Sequence, residues 1–458
     1  MLNLLNRIFA PNTNPAPLSV LQQASKPQIT RLPRIPTPAP TPTLASVTEE
    51  EDTSGLRKAK LIMVTANNNN KFYEMEESAD GTFTVSYGRV GSNPTRRSYP
   101  MSKWESKKRE KIRKGYKDTT YLFTEKKELV DFLDMDDAKV RSLVNDLMSF
   151  AQDSVVSNYN VSSDDVTLQQ VEEAQTILDK LSDEVDLRMD IKDFNWQLME
   201  LYAIIPRKMN NVKQHLITVP TSDEDIALIE TKLAEEQATL DVMRGQVELH
   251  EKQQEGQEQA PKTMLDAFGL QIEAVEEKVL IEEIKKMMGN KASHFHRAYK
   301  VINLATQNHF DNHIAQAKNP KTELFWHGSR NENWLSILKT GLVLRPANAI
   351  INGKMFGYGL YFADKFAKSL NYTSLRGSYW TRGSHNKGFL ALYEVHVGNQ
   401  LQIQKHQPWC GSLSENNLKK RGSQYNSVFA KGGADLINNE YIVYNQNQCT
   451  VRYIVEIR

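Results

Sequence analysis

The residues of this chain that are best suited to chemistry lie in its last third. His327 opens an HGS tripeptide after an apolar, aromatic run typical of a strand, and Glu440 opens a second such run, EYIVY. Between them lies the block GKMFGYGLYFADKFAKSLNY, which contains Tyr361 and Tyr372. Glycines let backbone approach a flat ligand closely, and tyrosine rings stack on one. The pattern favours a pocket for a heteroaromatic ligand.

Other nucleotide-binding and metal-binding patterns are missing from the sequence. It contains no P-loop and no GxGxxG that opens a helix. Cys410 and Cys449 lie in no CxxC or Cys/His cluster, so we predict no metal site, no disulfide framework and a reducing compartment. Taken singly, His327 is also typical of a satisfied histidine at a strand end, the tyrosines of core residues, and Glu440 of a surface carboxylate. The order of the motifs decides between these interpretations.

Three segments, LFWHGSR, MFGYGLYFADKFAKSLNY and NEYIVY, occur in the order found in the poly(ADP-ribose) polymerase catalytic domain, which this part of the chain resembles closely. The resemblance implies NAD+ as substrate. His327 is then expected to bind the adenosine ribose, and the backbone of Gly328 the nicotinamide carboxamide. Ser369 adds a hydroxyl to the same amide, while Tyr361 and Tyr372 sandwich the nicotinamide ring.

The resemblance makes His327, Tyr361 and Glu440 the catalytic residues. Glu440 would stabilise positive charge as nicotinamide leaves the ribose, and in this family a glutamate at this position accompanies chain elongation to poly(ADP-ribose). The alternatives are a mono-ADP-ribosyltransferase, a catalytically inactive DNA-end-binding protein, and an interaction protein built on its helices. The chain departs from the family at Val343, with Arg345 two places later, and at Tyr358, so adenine-side and acceptor-side details are not transferred.

The elements that hold these residues follow from composition and periodicity. The 40% hydrophobic and 25% charged fractions are those of globular protein, and no apolar run of about 18 residues indicates a membrane span. The formal net charge of +1 hides a basic segment, residues 57–117, with 15 Lys/Arg against 6 Asp/Glu. Such an excess predicts a polyanion partner for one domain.

That basic segment begins with strand-like text, KLIMVTA, NKFYEME and GTFTVSYGRV, and continues as MSKWESKKREKIRKGYK, which has helical propensity. In this order it resembles a WGR domain, with tyrosine in place of the signature tryptophan. The helix is also typical of a plain solvated surface. As a WGR domain it is expected to bind DNA ends or nicks through Tyr87, Arg89, Lys107, Lys108, Arg109 and Lys111.

Helix-period text follows, with Ser222 and Asp223 as caps of one helix that ends at Gly256 and Pro261. The segments DFNWQLMELYAIIP and TMLDAFGLQIEAV resemble the family's regulatory helical domain, which covers the NAD site until DNA is bound. A plain spacer is the alternative interpretation. From Glu323 onward, alternating text with brief helices predicts a second, larger sheet, mostly antiparallel.

The fold predicted is multidomain α+β. It comprises a disordered Pro-rich tail (1–55), a small antiparallel-sheet WGR-like domain (56–123), an all-α regulatory bundle (124–305) and a mostly antiparallel ADP-ribosyltransferase catalytic domain (306–458). The function predicted is DNA-break-stimulated transfer of ADP-ribose to protein acceptors, the enzyme included, with release of nicotinamide. An accessory factor at the site is left open, and no membrane is expected.

Localisation depends on the source of the chain. We expect the nucleus in a eukaryote, and the nucleoid or host cytoplasm for a bacterial or viral protein. The N-terminal MLNLLNRIFA, with basic and no acidic residues around it, gives a transit peptide as the alternative.

Overall fold

The structure is a computed structural model that describes residues 56–120, 135–161, 166–254, 263–344 and 355–458. The predicted Pro-rich tail, its transit-peptide alternative, the predicted helix end at Gly256 and Pro261, and Arg345 all lie outside these residues. Among the helices that are described, none is long and apolar enough to cross a membrane.

The first domain is the small antiparallel sheet that the sequence predicts. Its strands follow the order β4-β3-β2-β1-β5. They are β1 (Lys58–Thr65), β2 (Asn69–Glu77), β3 (Thr82–Arg89), β4 (Thr95–Pro100) and β5 (Lys117–Asp118). Gly81 has φ +77°, as its predicted turn requires. The predicted basic helix is α1 (Trp104–Arg113).

Both faces of this sheet are covered. On one face Trp104 of α1 packs edge-on against Phe83, with ring centroids 5.1 Å apart. On the other face Ile62 and Phe72 pack with Ala203, which belongs to the helical bundle. The sheet is therefore anchored to the bundle by apolar contact, the strongest non-directional force available to it.

The bundle consists of α2 (Ala138–Asn158), α3 (Leu168–Glu184), α4 (Ile191–Ile204) and α5 (Asp223–Gln254). Each begins at a side chain that accepts backbone N–H groups otherwise left unpaired. Thr167 and Gln170 form a reciprocal capping box at α3. The predicted cap of α5 is confirmed, because Ser222 Oγ accepts from Asp225 N at 3.2 Å.

The boundary at residue 305 is wrong. The short helices α6 (Met264–Ala267) and α7 (Lys278–Met288) flank two strands, β6 (Leu270–Ala274) and β7 (Phe295–Asn303). Both strands belong to the C-terminal sheet, since β7 pairs with β6 and with the last strand of the chain. In the sequence, the strand patterns of β6 (five residues) and β7 (nine residues) are hidden by the helical periodicity on either side of them. The C-terminal domain therefore starts before residue 270.

The C-terminal domain is α+β, and it contains two sheets where one larger sheet is predicted. The first has the order β6-β7-β14-β10-β8 and the second β11-β12-β13-β9. All described pairs are antiparallel except β11 with β12. The remaining strands are β8 (Thr322–Gly328), β9 (Leu360–Phe362), β10 (Gly388–His396), β11 (Gln400–Ile403), β12 (Ser427–Ala430), β13 (Glu440–Val443) and β14 (Cys449–Ile457).

Four helices interrupt these sheets: α8 (Leu304–Gln316), α9 (Trp334–Thr340), α10 (Phe366–Leu370) and α11 (Glu415–Arg421). The two central strands, β10 and β14, are buried along their whole length. Such strands read as near-continuous apolar runs, GFLALYEVH and CTVRYIVEI. They form a rigid base from which β8 carries the HGS tripeptide.

Candidate active site

The motif residues converge where the two sheets of the C-terminal domain meet. Trp326 of β8 exchanges two backbone hydrogen bonds with Ala363, at 2.8 and 3.0 Å, just beyond β9. Strand β9 in turn pairs with β13, with Tyr361 opposite Ile442. These pairings bring the HGS tripeptide, the tyrosine block and the start of the EYIVY strand into one cleft.

His327 is held in one orientation by backbone. Its Nδ1 lies 3.1 Å from the carbonyl oxygen of Tyr361. A carbonyl oxygen only accepts, so the proton lies on Nδ1 and the Nε2 lone pair is left to accept from a ligand. Burial lowers the pKa of His327, which favours this neutral form near pH 7. An accepting nitrogen suits a ribose hydroxyl, the partner that the sequence predicts.

Gly328 and Ser369 are pressed together backbone to backbone. A Cβ on Gly328 would lie 2.0 Å from the carbonyl oxygen of Ser369, far inside van der Waals contact. Ser369 is buried at the end of α10. The residues predicted to bind the carboxamide are thus neighbours in the structure. The second position of the HGS tripeptide therefore has no room for a side chain.

Tyr361 and Tyr372 differ in how firmly they are held. The hydroxyl of Tyr361 donates to the carbonyl of Gly357 at 2.8 Å and accepts from the N–H of Phe356 at 3.1 Å. Burial raises the pKa of Tyr361, so it stays protonated and keeps both bonds. Tyr372 is 37% exposed. The side chain of Tyr361 is therefore held in place in the wall of the cleft, whereas that of Tyr372 is partly exposed to solvent.

Glu440 pairs with a residue that the sequence analysis did not select. Its Oε1 accepts from Nζ of Lys368, which also reaches the carbonyl of Asn439 at 3.3 Å. Burial lowers the pKa of Lys368, and Glu440 opposes that shift. Oε2 of Glu440 is buried and has no hydrogen-bond partner among the described residues. A buried oxygen of this kind calls for a hydrogen-bond donor.

Lys368 lies inside the quoted block DKFAKSLNY, one residue before Ser369. Nothing in its local sequence separates it from a surface lysine on a short helix. The contact with Glu440 joins residues 72 positions apart, which no local pattern reveals.

A cavity of about 490 Å³ lies between the bundle and the segment after α9. From the bundle it is lined by Asp241 and Arg244, and from the C-terminal domain by Asn333 and the loop Gly341 to Leu344. Asn333 donates to Oγ of Ser329, in the HGS tripeptide, at 3.1 Å. Asn333 therefore connects the lining of the cavity to the HGS tripeptide. The basic side chain in the lining of this cavity, Arg244, comes from the bundle. The C-terminal loop contributes the apolar Val343.

The basic residues predicted to contact nucleic acid are largely engaged within the first domain. Nζ of Lys111 lies 4.2 Å from the ring centroid of Tyr73 and 5.7 Å from that of the half-buried Tyr87. Burial lowers the pKa of Lys111. Lys108 pairs with Asp118 at 2.7 Å. Such contacts leave the Tyr87 ring only partly open for stacking.

Lys107 and Arg109 carry weaker, partly exposed ion pairs. Lys107 lies 3.4 Å from Glu110, and Arg109 lies 3.9 Å from Glu105. Pairs on a solvated helix are worth little and exchange readily with an incoming phosphate. These two side chains remain suited to the predicted contact.

Arg89 has a different role from the phosphate contact that the sequence suggests. Its guanidinium donates to the backbone carbonyls of Asn68, Met209 and Asn210, at 2.9, 2.9 and 2.7 Å. Met209 and Asn210 follow α4 of the bundle. Arg89 is thus a polar link between the first domain and the bundle, formed across some 120 residues of sequence.

Two basic residues of the first domain were missed. Arg96 and Arg97 lie side by side, exposed, on the edge strand β4. Neither has an ion pair among the described residues. The sequence shows that these two arginines are adjacent within the basic segment. It does not show that they are exposed on an edge strand.

Gly328 offers a direct test of the cleft. We expect Gly328→Ala to abolish the stabilisation of the protein by NAD+ in a thermal melt, because a Cβ cannot fit against Ser369. Gly411→Ala is the matched control, since a Cβ there has nothing within 4 Å. A Gly328→Ala variant that NAD+ still stabilises by the wild-type amount contradicts the assignment of this tripeptide to the ligand.

Two family models match this chain. The family model of the poly(ADP-ribose) polymerase catalytic domain matches residues 276–458, and that of the WGR domain matches residues 59–121. The putative poly [ADP-ribose] polymerase-like protein 100L of Invertebrate iridescent virus 6 is 34% identical over 184 residues, 39% of this chain and 91% of that protein. The uncharacterized protein 101L of the same virus is 35% identical over 188 residues, 41% of this chain and 76% of that protein.

A longer match extends over the first domain and the bundle as well. Poly [ADP-ribose] polymerase 2-B of Oryza sativa subsp. japonica is 25% identical over 437 residues, 85% of this chain and 70% of that protein. The two family models give the order of a WGR domain followed by a catalytic domain. The chain belongs to the poly(ADP-ribose) polymerase family and is an NAD+ ADP-ribosyltransferase.

Proposed function

We propose that this enzyme extends ADP-ribose chains on protein acceptors and that DNA breaks stimulate it. The observation that carries chain extension is the buried Oε2 of Glu440, which has no hydrogen-bond partner among the residues that the structure describes, beside an Oε1 that accepts from Lys368. One oxygen is fixed by the protein and the other is offered to the substrate. A single-transfer enzyme has less need of a carboxylate arranged to accept a hydroxyl proton.

Glu440 acts in two ways in this proposal. As the bond between ribose and nicotinamide breaks, positive charge develops on the ribose, and a carboxylate excluded from water stabilises it strongly. Oε2 then accepts a hydrogen bond from the hydroxyl of the ADP-ribose unit that attacks C1 of the ribose. Lys368 keeps the carboxylate in place. His327 and Tyr361 hold the donor so that this charge forms next to Glu440.

Glu440→Gln separates the two alternatives for the product. The amide keeps the size of the side chain and loses its charge, so we expect polymer to disappear on gels of labelled product, with a fall in rate of about 10²–10³. NAD+ stabilisation in a thermal melt should persist. Glu415→Gln, on the exposed α11, is the control. Polymer of wild-type length from Glu440→Gln would sink the proposed role, and single ADP-ribose units from the wild type would favour mono-transfer.

The proposed DNA contact rests on the charge of the first domain. Its open basic side chains are the arginines of β4 together with Lys107 and Arg109 of α1. Neutralising phosphates with such side chains releases counterions, which makes the affinity depend on salt. No base-specific contact is needed to recognise the end of a duplex in this way.

Arg96→Gln/Arg97→Gln tests this surface. We expect the Kd for a blunt-ended duplex to rise about tenfold and the slope of log Kd against log salt to fall by roughly 2, as for two lost phosphate contacts. Fluorescence anisotropy across a salt series gives both numbers. Lys405→Gln/Lys420→Gln removes the same charge from the catalytic domain and should change neither. Equal effects of the two double variants would point to net charge and not to a binding face.

Regulation by the bundle is supported by two of its contacts. Asp241 and Arg244 of α5 line the cavity that Asn333 connects to the HGS tripeptide. The loop after α4 receives the guanidinium of Arg89 from the first domain. One bundle thus contacts the proposed DNA-binding domain at one end and lines this cavity at the other. A scaffold needs neither contact.

Arg89→Ala distinguishes a link between domains from a phosphate contact. If Arg89 transmits DNA binding, the Kd for duplex should stay within about twofold of wild type while the stimulation of nicotinamide release by DNA falls several-fold. If it binds phosphate, the Kd for duplex should rise while the stimulation falls. Arg57→Ala, an exposed arginine on the same domain, is the control. If DNA stimulates the Arg89→Ala variant as strongly as the wild type, the bundle is only a scaffold.

A further inference from the structure

The loop that follows Tyr372, residues 373–387, has no role in the site described so far. It presents two adjacent aromatic side chains to solvent, Tyr379 at 71% and Trp380 at 64% exposure. From residue 365 to residue 393 the sequence contains five Lys/Arg and no Asp/Glu. Aromatic side chains interleaved with basic ones are the composition of a surface that stacks bases and neutralises phosphates.

Hydrogen bonds and close backbone contacts within the loop fix the positions of these two aromatic side chains. Oγ of Ser378 donates to the carbonyl of Leu370 at 2.9 Å and lies 3.0 Å from Oγ1 of Thr373, and both hydroxyls are buried. The N–H of Trp380 donates to the carbonyl of Asn371 at 3.1 Å. A Cβ on Gly383 would lie 2.1 Å from the carbonyl of Leu375. The aromatic side chains are held out by an ordered frame.

The basic residues of the loop divide into used and unused groups. Lys387 is committed to Asp146 of the bundle, at 2.5 Å, and to Glu456. Arg376 and Arg382 are exposed and make no ion pair with any residue that the structure describes. In the sequence, two exposed arginines therefore flank two exposed aromatic side chains. The matching ligand has a flat heteroaromatic group and more than one negative charge.

The loop is continuous with the NAD cleft. The ring of Trp380 stacks on that of Tyr372, with centroids 6.5 Å apart and planes 26° apart, and the Tyr379 ring lies edge-on to Trp380 at 4.8 Å. Burial, and secondly the charge of Glu440, raises the pKa of Tyr372. A row of three rings thus leads from Tyr372, a predicted wall of the NAD site, to the surface.

We propose that the loop 373–387 is a binding site for the chain that is being extended, with an adenine stacked on Tyr379 and Trp380 and a pyrophosphate held by Arg376 and Arg382. The site rests on the proposed chain extension, because only an enzyme that elongates must hold a product while its end returns to the carboxylate. It differs from the donor cleft, since Tyr372 separates the two.

This occupant fits better than other partners. The aromatic patch comprises two side chains, which is small for a protein interface, whose core is usually apolar and poor in charge. A DNA strand has the right chemistry, but nothing requires it to lie beside Glu440. An ADP-ribose chain carries an adenine and a pyrophosphate in every unit and must reach that carboxylate.

The test uses the full-length enzyme and a purified, fluorescently labelled ADP-ribose oligomer. The variant Arg376→Gln/Tyr379→Ala/Arg382→Asn removes both cations and one ring and keeps Trp380, which stacks on Tyr372. Asparagine is chosen because Arg382 has φ +50°, which asparagine tolerates. We expect the Kd for the oligomer to rise about tenfold or more. Lys405→Gln/Lys420→Gln, with the same loss of charge, should leave it unchanged.

Activity gives the second measurement. The variant should make chains several-fold shorter on gels, while its rate of nicotinamide release in the first turnover stays within about twofold of wild type. An unchanged Kd for the oligomer overturns the proposal. The proposal is also overturned if the wild type binds a single-stranded DNA oligonucleotide in place of the oligomer and the variant does not. The loop would then be a nucleic-acid site.

The failure of chain extension itself has a separate signature. If the wild type makes no polymer, the proposed function fails, and the binding measurement still decides the loop. Loss of oligomer binding in the variant then supports a site for ADP-ribose chains made elsewhere. Oligomer binding that the variant retains, or that the wild type lacks, overturns the site under either outcome.

Discussion

Two backbone hydrogen bonds, exchanged between Trp326 and Ala363, are the constraint on which the active site depends. They join the sheet that carries the HGS tripeptide to the sheet that carries Tyr361 and Glu440. Because backbone groups make the link, it is independent of side-chain identity and leaves no rotamer to choose. His327 then donates to the carbonyl of Tyr361 one step along the same strands, and the geometry of the cleft follows.

The bundle packs directly against this site. Leu143 and Leu240 of the bundle belong to the same buried cluster as Phe325 and Trp334 of the catalytic domain. Closely packed interiors transmit strain because they have little free volume. A displacement of α5 must therefore move α9, whose residues line the cavity beyond the HGS tripeptide. This gives a physical route between the bundle and the cleft without a change in any ligand-binding side chain.

The motifs were selected by their order, which resembles that of the family, because taken singly none of them could be told from a structural residue. The structure brings the HGS tripeptide, the glycine and tyrosine block and Glu440 into one cleft. Lys368 was not predictable, because its partner Glu440 is 72 residues away. The start of the C-terminal domain was misplaced for a related reason. Strands β6 and β7 are completed only by pairing with β14, at the far end of the chain, and short helices beside them dominate the local period.

Arg89 and Tyr87 mark the limit of transferring roles by motif. Arg89 occupies the position of a phosphate contact in the motif, yet three backbone carbonyls already satisfy its guanidinium. Tyr87 has lost part of its stacking face to the cluster around Lys111. Moving Arg89 to bind DNA would leave the carbonyls of Met209 and Asn210 without this donor. The exposed arginines of β4 carry no such cost, so on energetic grounds they are the side chains that a phosphate would reach first.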